Sequence, residues 1–320
     1  MLPGGRRLGA HLPLGGGMVK AVERAHAIGA DSIQVFADNP TAWRRRPEPP
    51  RELPAFRERL AARDIGPVAI HAPYLVNLAG PDESFFSRSV GVLAHDLRAA
   101  PGFRARFLNV HIGSHLGSGV HAGVARLAEG LRLALAEVED GADASMVVLE
   151  NSAGGGSGLG TDVVELAAIA EATAGQGIPD ERLGFCLDAA HAWGAGIDLA
   201  NPDAIDAFLA DFDARIGLDR LAMVHLNDSK AERGSRDDRH EHLGAGRIGA
   251  AGLAHLLSHP SLDHVAYYLE TPGMEEGYDA VNMARARDLA AGRPLSVLSA
   301  EAMTVRGSRG RTGPSPGPEE

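Results

Sequence analysis

Residues 146–175 read MVVLENSAGGGSGLGTDVVELAAIAEATAG, and the fold is predicted from this stretch outward. Residues 146–150 form a short, almost continuous apolar run, which is typical of a strand that is buried on both faces. A glycine-rich loop separates this run from residues 161–175, whose apolar positions repeat with a helical period. The stretch therefore predicts a β-strand ending at Glu150 and an α-helix that follows it.

The same strand-then-helix unit is predicted eight times along the chain. The strands are predicted at 7–11, 32–36, 67–71, 106–111, 146–150, 183–188, 221–225 and 265–270, and the helices near 17–28, 51–64, 83–99, 121–139, 161–175, 202–215, 250–258 and 279–291. Strands buried on both faces pair in parallel beneath helices, so eight such units predict a single-domain α/β fold, the (β/α)₈ TIM barrel.

The barrel domain is predicted to span residues 7–292, and residues 293–320 are predicted to form a disordered C-terminal tail. The last part of this tail reads TVRGSRGRTGPSPGPEE. Such a composition offers too few apolar side chains to bury a core.

The composition excludes several classes of protein. Of the 320 residues 44% are hydrophobic and 23% are charged, which fits a globular chain and excludes wholesale disorder. The formal net charge of −11 gives no general attraction to nucleic acid or to an anionic membrane, so a polyanion must be bound locally. The single cysteine, Cys186, excludes an internal disulfide framework. With no apolar run of membrane-spanning length and no signal peptide predicted, a cytoplasmic monomer is the default expectation.

The last residue of each predicted strand is the most informative feature of the sequence. These residues are His11, Phe36, His71, His111, Glu150, Asp188, His225 and Glu270, and all except Phe36 are of types that bind metal ions. Parallel barrel strands deliver their carboxyl ends to one rim, so these side chains are expected to converge there. Carboxylates and imidazoles buried together require compensating charge, which divalent cations supply.

Two loops add further candidate ligands. His191 follows Asp188 by three residues, within one helical turn if a helix begins there, and Asp238 and His240 lie two residues apart. With the rim residues they form a set of nine predicted metal ligands: His71, His111, Glu150, Asp188, His191, His225, Asp238, His240 and Glu270. Histidine and carboxylate without cysteine suit zinc or manganese, and a catalytic zinc takes about three protein ligands, so nine ligands predict three ions.

A pocket with three divalent ions and four carboxylates is expected to attract phosphate. Two adjacent ions can activate water and stabilise the leaving oxygen of an in-line displacement. The residues alone therefore predict phosphoester hydrolysis.

Several motifs together resemble the endonuclease IV family of apurinic/apyrimidinic endonucleases, which have a xylose-isomerase-like barrel. They begin at His71 (HAPYLVNLA), His111 (HIGSH), Leu187 (LDAAHAWGAG), His225 (HLNDSK) and Asp238 (DRHEHLGAGRIG), and the match extends over about residues 7–291. The resemblance implies a zinc-dependent base excision repair enzyme with three Zn²⁺ per chain. It implies cleavage of double-stranded DNA 5′ to an abasic site, leaving a 3′-hydroxyl and a 5′-deoxyribose phosphate, and removal of 3′-blocking groups.

The resemblance also implies a role for each site residue. The first ion would be bound by His71, His111 and Glu150, the second by Glu150, Asp188, His225 and Glu270, and the third by His191, Asp238 and His240. Glu150, which bridges two ions, and Glu270 are assigned as catalytic. Tyr74 and Leu75 match residues that wedge into the base stack.

One motif departs from the family pattern. The family commonly has Asn-x-Arg-x-Trp after the second strand, where the arginine enters the DNA, whereas this chain has Thr41 at that position. Arg44 and Arg45 follow directly and are predicted to contact DNA. An arginine run that merely keeps an exposed loop soluble is the competing interpretation.

Two other functions stay open at the level of sequence. A metal-dependent sugar isomerase or epimerase on the same barrel needs about four ligands and often a lysine, for which Lys230 is the nearby candidate. A noncatalytic lesion-binding protein that kept the fold is the second alternative, although the complete ligand set does not favour it.

Overall fold

The computed structural model describes residues 2–138, 144–274 and 276–305. Its centre is a closed barrel of parallel strands in the order β1-β10-β7-β6-β5-β4-β3-β2, which confirms the predicted TIM barrel. The barrel strands are β1 (Leu8–His11), β2 (Ser32–Val35), β3 (Val68–His71), β4 (Ala105–His111), β5 (Met146–Glu150), β6 (Leu183–Asp188), β7 (Leu221–His225) and β10 (Ala266–Leu269). The last strand closes on the first through pairs such as Leu8 with Tyr267.

Helices pack around the barrel. They are α1 (Met18–Ala27), α2 (Leu53–Ala62), α3 (Glu83–Ala99), α4 (Val120–Ala136), α5 (Val163–Gly175), α6 (Ala189–Ala195), α7 (Pro202–Arg215), α8 (Gly249–Ser258), α9 (Asp279–Ala290) and α10 (Ala300–Thr304). The helix predicted after each strand is present, whereas α6 and α10 were not predicted as separate elements. Among the described residues no helix is both long and apolar enough to cross a membrane.

Two hydrophobic clusters hold these layers together. The larger one joins the outer face of the strands to the helices. The smaller one consists of Ala69, Phe107, Val148, Cys186, Ala222, Met223, Ala266 and Tyr268, which come from six barrel strands. It fills the barrel interior in layers, as side chains do in this fold, and forms a solid floor beneath the carboxyl ends of the strands.

A small hairpin lies in the long connection between β7 and α8. Its strands, β8 (Asp228–Ser229) and β9 (His240–Glu241), pair in antiparallel fashion. The Asp228 carboxylate fixes the end of this connection, because its oxygens accept the backbone N–H groups of Gly246, Ile248 and Gly249. Strands of two residues carry no readable alternation, so the sequence did not predict the hairpin.

The C-terminal segment contains a short helix that the sequence pattern does not indicate. Residues 293–305 were assigned to the disordered tail, but Ser299 caps α10 and Ala302 is buried. Residues 300–304 form this helix although the predicted tail includes them, because the tail prediction rests on the glycine- and proline-rich residues that follow. The division into a barrel domain and a disordered tail stays a prediction. The rest of the predicted tail, 306–320, lies outside the described residues.

Candidate metal centre

Three groups of potential metal ligands lie together at the carboxyl ends of the barrel strands. Within each group the potential ligand atoms lie within 4.8 Å of one another. The groups are His71, His111 and Glu150; Glu150, Asp188, His225 and Glu270; and Asp188, His191 and His240. The convergence that the sequence predicted is therefore present, and the assignment of each residue to an ion stays a prediction.

Glu150 lies where the groups meet. Its Oε2 is 3.4 Å from His71 Nε2 and 3.5 Å from His111 Nε2. Its Oε1 is 3.3 Å from His225 Nδ1 and 3.2 Å from His191 Nδ1. Because its two oxygens face different imidazoles, the carboxylate has the geometry of a bridge.

The second group is completed by carboxylates from two further strand ends. His225 Nδ1 lies 3.5 Å from Glu270 Oε2 and 3.8 Å from Asp188 Oδ2. Asp188 also begins α6, since its Oδ1 accepts the backbone N–H of His191 at 2.8 Å. This cap fixes the carboxylate and places His191 in the first helical turn, as the Asp-x-x-His spacing predicted.

Asp238 joins the third group from the loop before β9. Its Oδ2 lies 3.2 Å from His191 Nε2, and its Oδ1 lies 3.2 Å from His240 Nε2. All nine predicted ligands are thus brought together. Six lie at the ends of barrel strands, His191 lies on α6, His240 lies on β9, and Asp238 lies in the loop before β9. His111, Asp238 and Glu270 are partly exposed and mark the open side of the pocket.

Hydrogen bonds orient the imidazole rings toward the centre of the pocket. His71 and His240 donate from Nδ1 to the carbonyl oxygens of Ala72 and Glu270, at 2.6 and 2.8 Å. His225 instead donates from Nε2 to Gln34 Oε1 at 3.0 Å. In each ring the other nitrogen is left facing the carboxylates, which is how metal-binding histidines are usually held.

The pocket fits divalent metal ions. Two ligands of one tetrahedral zinc ion, each about 2.0–2.1 Å from it, lie about 3.3 Å apart, close to most of the nitrogen–oxygen distances above. Within the described residues, Glu150 Oε1, His225 Nδ1 and His240 Nε2 are buried and have no hydrogen-bond partner. Buried polar atoms are rarely left without a partner, and metal ions bound in the second and third groups would supply partners for these three.

The electrostatics of the pocket agree with this interpretation. Burial raises the pKa of Glu150, but the charges of His225 and His111 outweigh it and hold the pKa well below its usual range. Burial lowers the pKa of His240, but Asp238 and Asp188 raise it to about 9 overall. The carboxylates thus attract positive charge, which a bound metal ion would supply in place of imidazole protons.

Some residues that orient the ligands were not predicted from the sequence. Asn109 Nδ2 donates to Glu150 Oε2 at 2.6 Å, and Asn227 Nδ2 donates to Asp188 Oδ2 at 2.7 Å. Gln34 Nε2 donates to Glu270 Oε1 at 2.6 Å. For Asn109 and Gln34 the available signal was spacing: they lie two residues before His111 and Phe36 on their strands, so strand alternation points them the same way. Asn227 lies beyond the end of β7, where its N–H donates to the His225 carbonyl oxygen, and strand alternation does not apply to it.

His11, the remaining imidazole among the strand ends, lies beside the centre. Its Nδ1 is 3.1 Å from Glu270 Oε1, so it contacts a predicted ligand. Phe36 packs against the His11 and His71 rings with centroid distances of 4.4 and 5.5 Å. These two residues line the wall of the pocket.

The predicted DNA-contacting residues differ in their accessibility. Tyr74 is 59% exposed, and its ring lies 5.9 Å from that of His111, at the edge of the pocket. Leu75 is half-buried, and Arg44 is exposed. Arg45 instead turns its guanidinium into its own loop and donates to the Asn39 and Ala42 carbonyl oxygens.

Lys230, the lysine that an isomerase would require, is not directed into the pocket. Its Nζ donates to the carbonyl oxygen of Val305 at 3.2 Å and lies 3.7 Å from Glu241. A lysine held by these partners is not placed to transfer protons between the metal ligands and a sugar.

Another group of possible ligands, Asp206, His255 and His259, lies away from the barrel mouth. Both imidazole Nε2 atoms face the same Asp206 oxygen, and His259 Nδ1 accepts the Ser261 N–H. The Nε2 atom of His259 therefore carries the ring proton, and the three side chains form a hydrogen-bonded cluster at the surface.

Comparisons with known proteins agree with this geometry. Residues 22–292 match the family model described as xylose isomerase-like TIM barrel. The probable endonuclease 4 of Methanoculleus marisnigri is 39% identical over 284 residues, covering 88% of this chain and 98% of that relative. The crystal structure of endonuclease IV from Thermus thermophilus matches with a TM-score of 0.76 at 37% identity, covering 89% of this chain and 99% of that one.

The chain belongs to the endonuclease IV family. The resemblance stated from the motifs is therefore confirmed. A D-tagatose 3-epimerase-like protein also matches, with a TM-score of 0.64 and 18% identity over 89% of this chain and 97% of that one, and it shares the fold alone. Endonuclease IV relatives of much higher identity favour the nuclease over the sugar-isomerase alternative.

Proposed function

We propose that this chain is a metal-dependent DNA repair endonuclease that hydrolyses the phosphodiester bond 5′ to an abasic site. The observation that carries the proposal is the convergence of nine histidine and carboxylate side chains at the barrel mouth of an endonuclease IV family member. The proposal includes three zinc ions, and it extends to DNA with blocked 3′ ends. The monomeric state and cytoplasmic location stay predictions.

The residues of the chain would divide the work as follows. His71, His111 and Glu150 would hold one ion, Asp188, His225 and Glu270 with Glu150 a second, and His191, Asp238 and His240 a third. When bound, the ions would supply the Lewis acidity that activates water and offsets the charge of the phosphate. The buried floor beneath the pocket keeps bulk water away from one side.

The rim suits an extruded nucleotide. Tyr74 stands exposed beside His111, where an aromatic ring can fill space vacated in the base stack. An abasic nucleotide has lost its pairing and most of its stacking, so moving it into a pocket takes little free energy. Arg44, exposed in the loop after β2, would contact backbone phosphate. The overall charge of −11 makes such local contacts necessary.

The proposal is tested with purified full-length protein and two end-labelled duplexes that are identical except for one abasic-site analogue. We expect cleavage of the damaged duplex alone, its loss with a chelator and its return with Zn²⁺. The product should prime a polymerase, since it ends in a 3′-hydroxyl. Zinc-loaded protein that leaves the damaged duplex intact would refute the proposal.

Metal analysis of the same preparation separates the nuclease from the isomerase. About three zinc ions per chain agree with nine ligands at about three per ion. One or two manganese ions together with isomerisation of a keto sugar would favour the alternative function. Tight binding of abasic DNA without turnover would favour a noncatalytic protein.

A further inference from the structure

The described part of the C-terminal segment lies against the loop that carries two of the predicted metal ligands. We call residues 295–305 the strap, and residues 228–243 the ligand loop because they include Asp238 and His240. The strap follows residue 292, where the match to the family model ends. It is therefore an addition to the part of the chain that the family model describes.

The strap and the ligand loop are joined through His242, which is fully buried. Asn282 Nδ2 donates to His242 Nδ1 at 2.9 Å, so the ring proton is on Nε2. Nε2 donates to the carbonyl oxygen of Ala302 at 3.0 Å. The imidazole is thus held between α9 and the strap, two residues beyond His240.

Two cations make parallel connections. Lys230, which lies in the ligand loop opposite Arg239, donates from Nζ to the carbonyl oxygen of Val305 at 3.2 Å. Arg285 on α9 is buried and donates both to Leu243 of the ligand loop and to Ser296 of the strap. All three connections end on backbone carbonyl oxygens, so they depend on the path of the strap more than on its side chains.

Apolar packing sets that path. Ala302 is 1% exposed, and Leu295 packs against the main core. A Cβ atom added to Gly244, the residue directly after the ligand loop, would lie 2.4 Å from Leu295 Cδ1, which shows how closely the strap approaches the end of that loop. By contrast, Val297 in the same segment is 97% exposed.

The third ligand group depends on this support more than the others do. His71, His111, Glu150 and His225 lie on barrel strands, which neighbours hold on both sides. Asp238 and His240 lie in a loop and in a strand of two residues with a single partner. A ligand displaced by a fraction of an ångström is enough to weaken a metal site.

We propose that the strap positions Asp238 and His240 against His191 by holding the ligand loop, and that His242 is the positioning residue. The inference rests on the proposed function, because it takes these three side chains as ligands of the third metal ion. Its specific consequence is that loosening the strap weakens retention of about one-third of the bound metal.

The test uses full-length protein and two variants of the same chemistry. Ala302→Glu introduces a charge where the strap is buried, and Val297→Glu introduces the same charge where it is exposed. Metal-loaded proteins are mixed with a chromophoric chelator, and the amplitude and rate of each release phase are recorded. Circular dichroism at the working temperature reports whether each variant is folded.

We expect about one-third of the metal to leave Ala302→Glu about tenfold faster than it leaves the wild type, because the third group loses support from outside its ligands. The release rate of the remaining metal should be unchanged. Val297→Glu should release metal like the wild type. Equal release from both variants would overturn the inference, and so would faster release of all the metal from folded Ala302→Glu. Wild-type protein that binds no metal would instead count against the proposed function.

Variants of His242 provide a second measurement that does not depend on strap packing. His242→Leu removes the Nε2 donor at similar size and should also accelerate release of one-third of the metal. His242→Gln keeps an N–H donor and should restore slower release. Identical release from the two variants would show that His242 fills space without positioning the ligand loop.

Cleavage of abasic DNA gives a third readout. With Ala302→Glu at limiting zinc we expect kcat to fall while KM stays near the wild-type value, and excess zinc should restore kcat. A loss of kcat that excess zinc does not restore would contradict positioning of the metal site.

Discussion

Glu150 is the residue on which the proposed chemistry depends most. One of its oxygens faces His71 and His111, and the other faces His191 and His225. Changing Glu150 to Ala should therefore unlink two metal ions at once. Loss of an outer-shell partner typically lowers activity or affinity about 10–100-fold, so loss of this bridge should lower abasic-site cleavage by more than about 100-fold.

Binding of undamaged DNA separates this role from a general loss of structure. Binding to an intact duplex should change little in Glu150→Ala, since Arg44 and Tyr74 are untouched. Glu165→Ala is the matched control, because this carboxylate belongs to the same strand-helix unit but lies outside the metal centre, where it accepts the N–H groups of Gly160 and Thr161 and the Thr161 hydroxyl. Equal loss of cleavage and intact-duplex binding in Glu150→Ala would contradict the bridging role.

Asn109 tests the hydrogen bonds behind the ligands. Its amide donates to Glu150 Oε2 at 2.6 Å within the buried barrel interior. Asn109→Leu keeps the volume but leaves that oxygen without its donor, so the affinity for zinc should fall about 10–100-fold. Competition with a chelator of known zinc affinity measures the change. Asn201→Leu, at the cap of α7, should reduce stability without changing zinc affinity.

The ligands themselves were accessible to sequence reasoning, whereas their supports were less so. His71 and Glu150 are the ends of apolar runs, and a strand end in a parallel barrel has a known direction. Asn109 lies inside such a run, where a single polar residue has many possible partners. Its bond to Glu150 depends on the rotamers of both side chains, which a strand pattern does not specify.

At the scale of elements, the loop after β2 carries the departure at Thr41. The Thr41 side chain is exposed and donates to Asn39 Oδ1 at 2.9 Å, and Arg45 is bound to carbonyl oxygens of the same loop. Arg44 is therefore the more available DNA contact of the pair that the sequence indicated. The loop is anchored to α3 through His95, whose Nε2 donates to the Arg46 carbonyl oxygen at 3.0 Å.

Restoring the family arginine is the corresponding test. Thr41→Arg should tighten binding to abasic-site DNA roughly two- to thirtyfold, since a stacked guanidinium contributes about 0.5–2 kcal/mol. Equilibrium binding at several salt concentrations measures the effect. One more phosphate contact would steepen the slope of log K against log[salt] by about one. Thr41→Gln controls for size without charge. An unchanged Kd would mean that Arg44 already supplies the contact.

Elements of regular length were predicted well, and short ones were not. The barrel strands and the helix after each strand lie close to their predicted positions because apolar periodicity over many residues is informative. The hairpin of β8 and β9 and the helix α10 are too short for periodicity. Long-range hydrogen bonds of Asp228 and His242 hold them, and Ser299 caps α10 locally. The strap is the clearest case, since the tail prediction that includes it rests on the glycine-, arginine- and proline-rich residues that follow.

At the scale of the whole molecule, the barrel brings together side chains that are far apart in sequence. His71 ends the third barrel strand in chain order and Glu270 directly follows the last one, yet both reach the same pocket because all barrel strands run in one direction. The fold was therefore predictable from repetition, and the place of the site followed from strand direction. The identity and number of the ions depend on the ligand types and on their distances from one another, which neither the repeated strand-helix units nor the strand direction specifies.

Metal removal is the prediction that belongs to this scale. The ions would cross-link ligands on several strands, on α6 and on β9. They would also compensate the negative charge of Glu150 and Asp188, which are buried. A ligand present at about 1,000 times its Kd stabilises the folded state by about 4 kcal/mol, and each kcal/mol moves Tm by about 2–4 °C in a domain of this size. Chelation should therefore lower Tm by about 10 °C or more, and added Zn²⁺ should restore it.

Glu150→Ala provides the control for this measurement in differential scanning calorimetry. Having lost its bridging ligand, the variant should retain less metal, so the chelator should lower its Tm by much less than it lowers that of the wild type. The barrel core does not include the ions, so the metal-free wild type should still unfold in a cooperative transition. A wild-type Tm that is unchanged after metal analysis shows complete removal would mean that the nine side chains are held together by the fold alone.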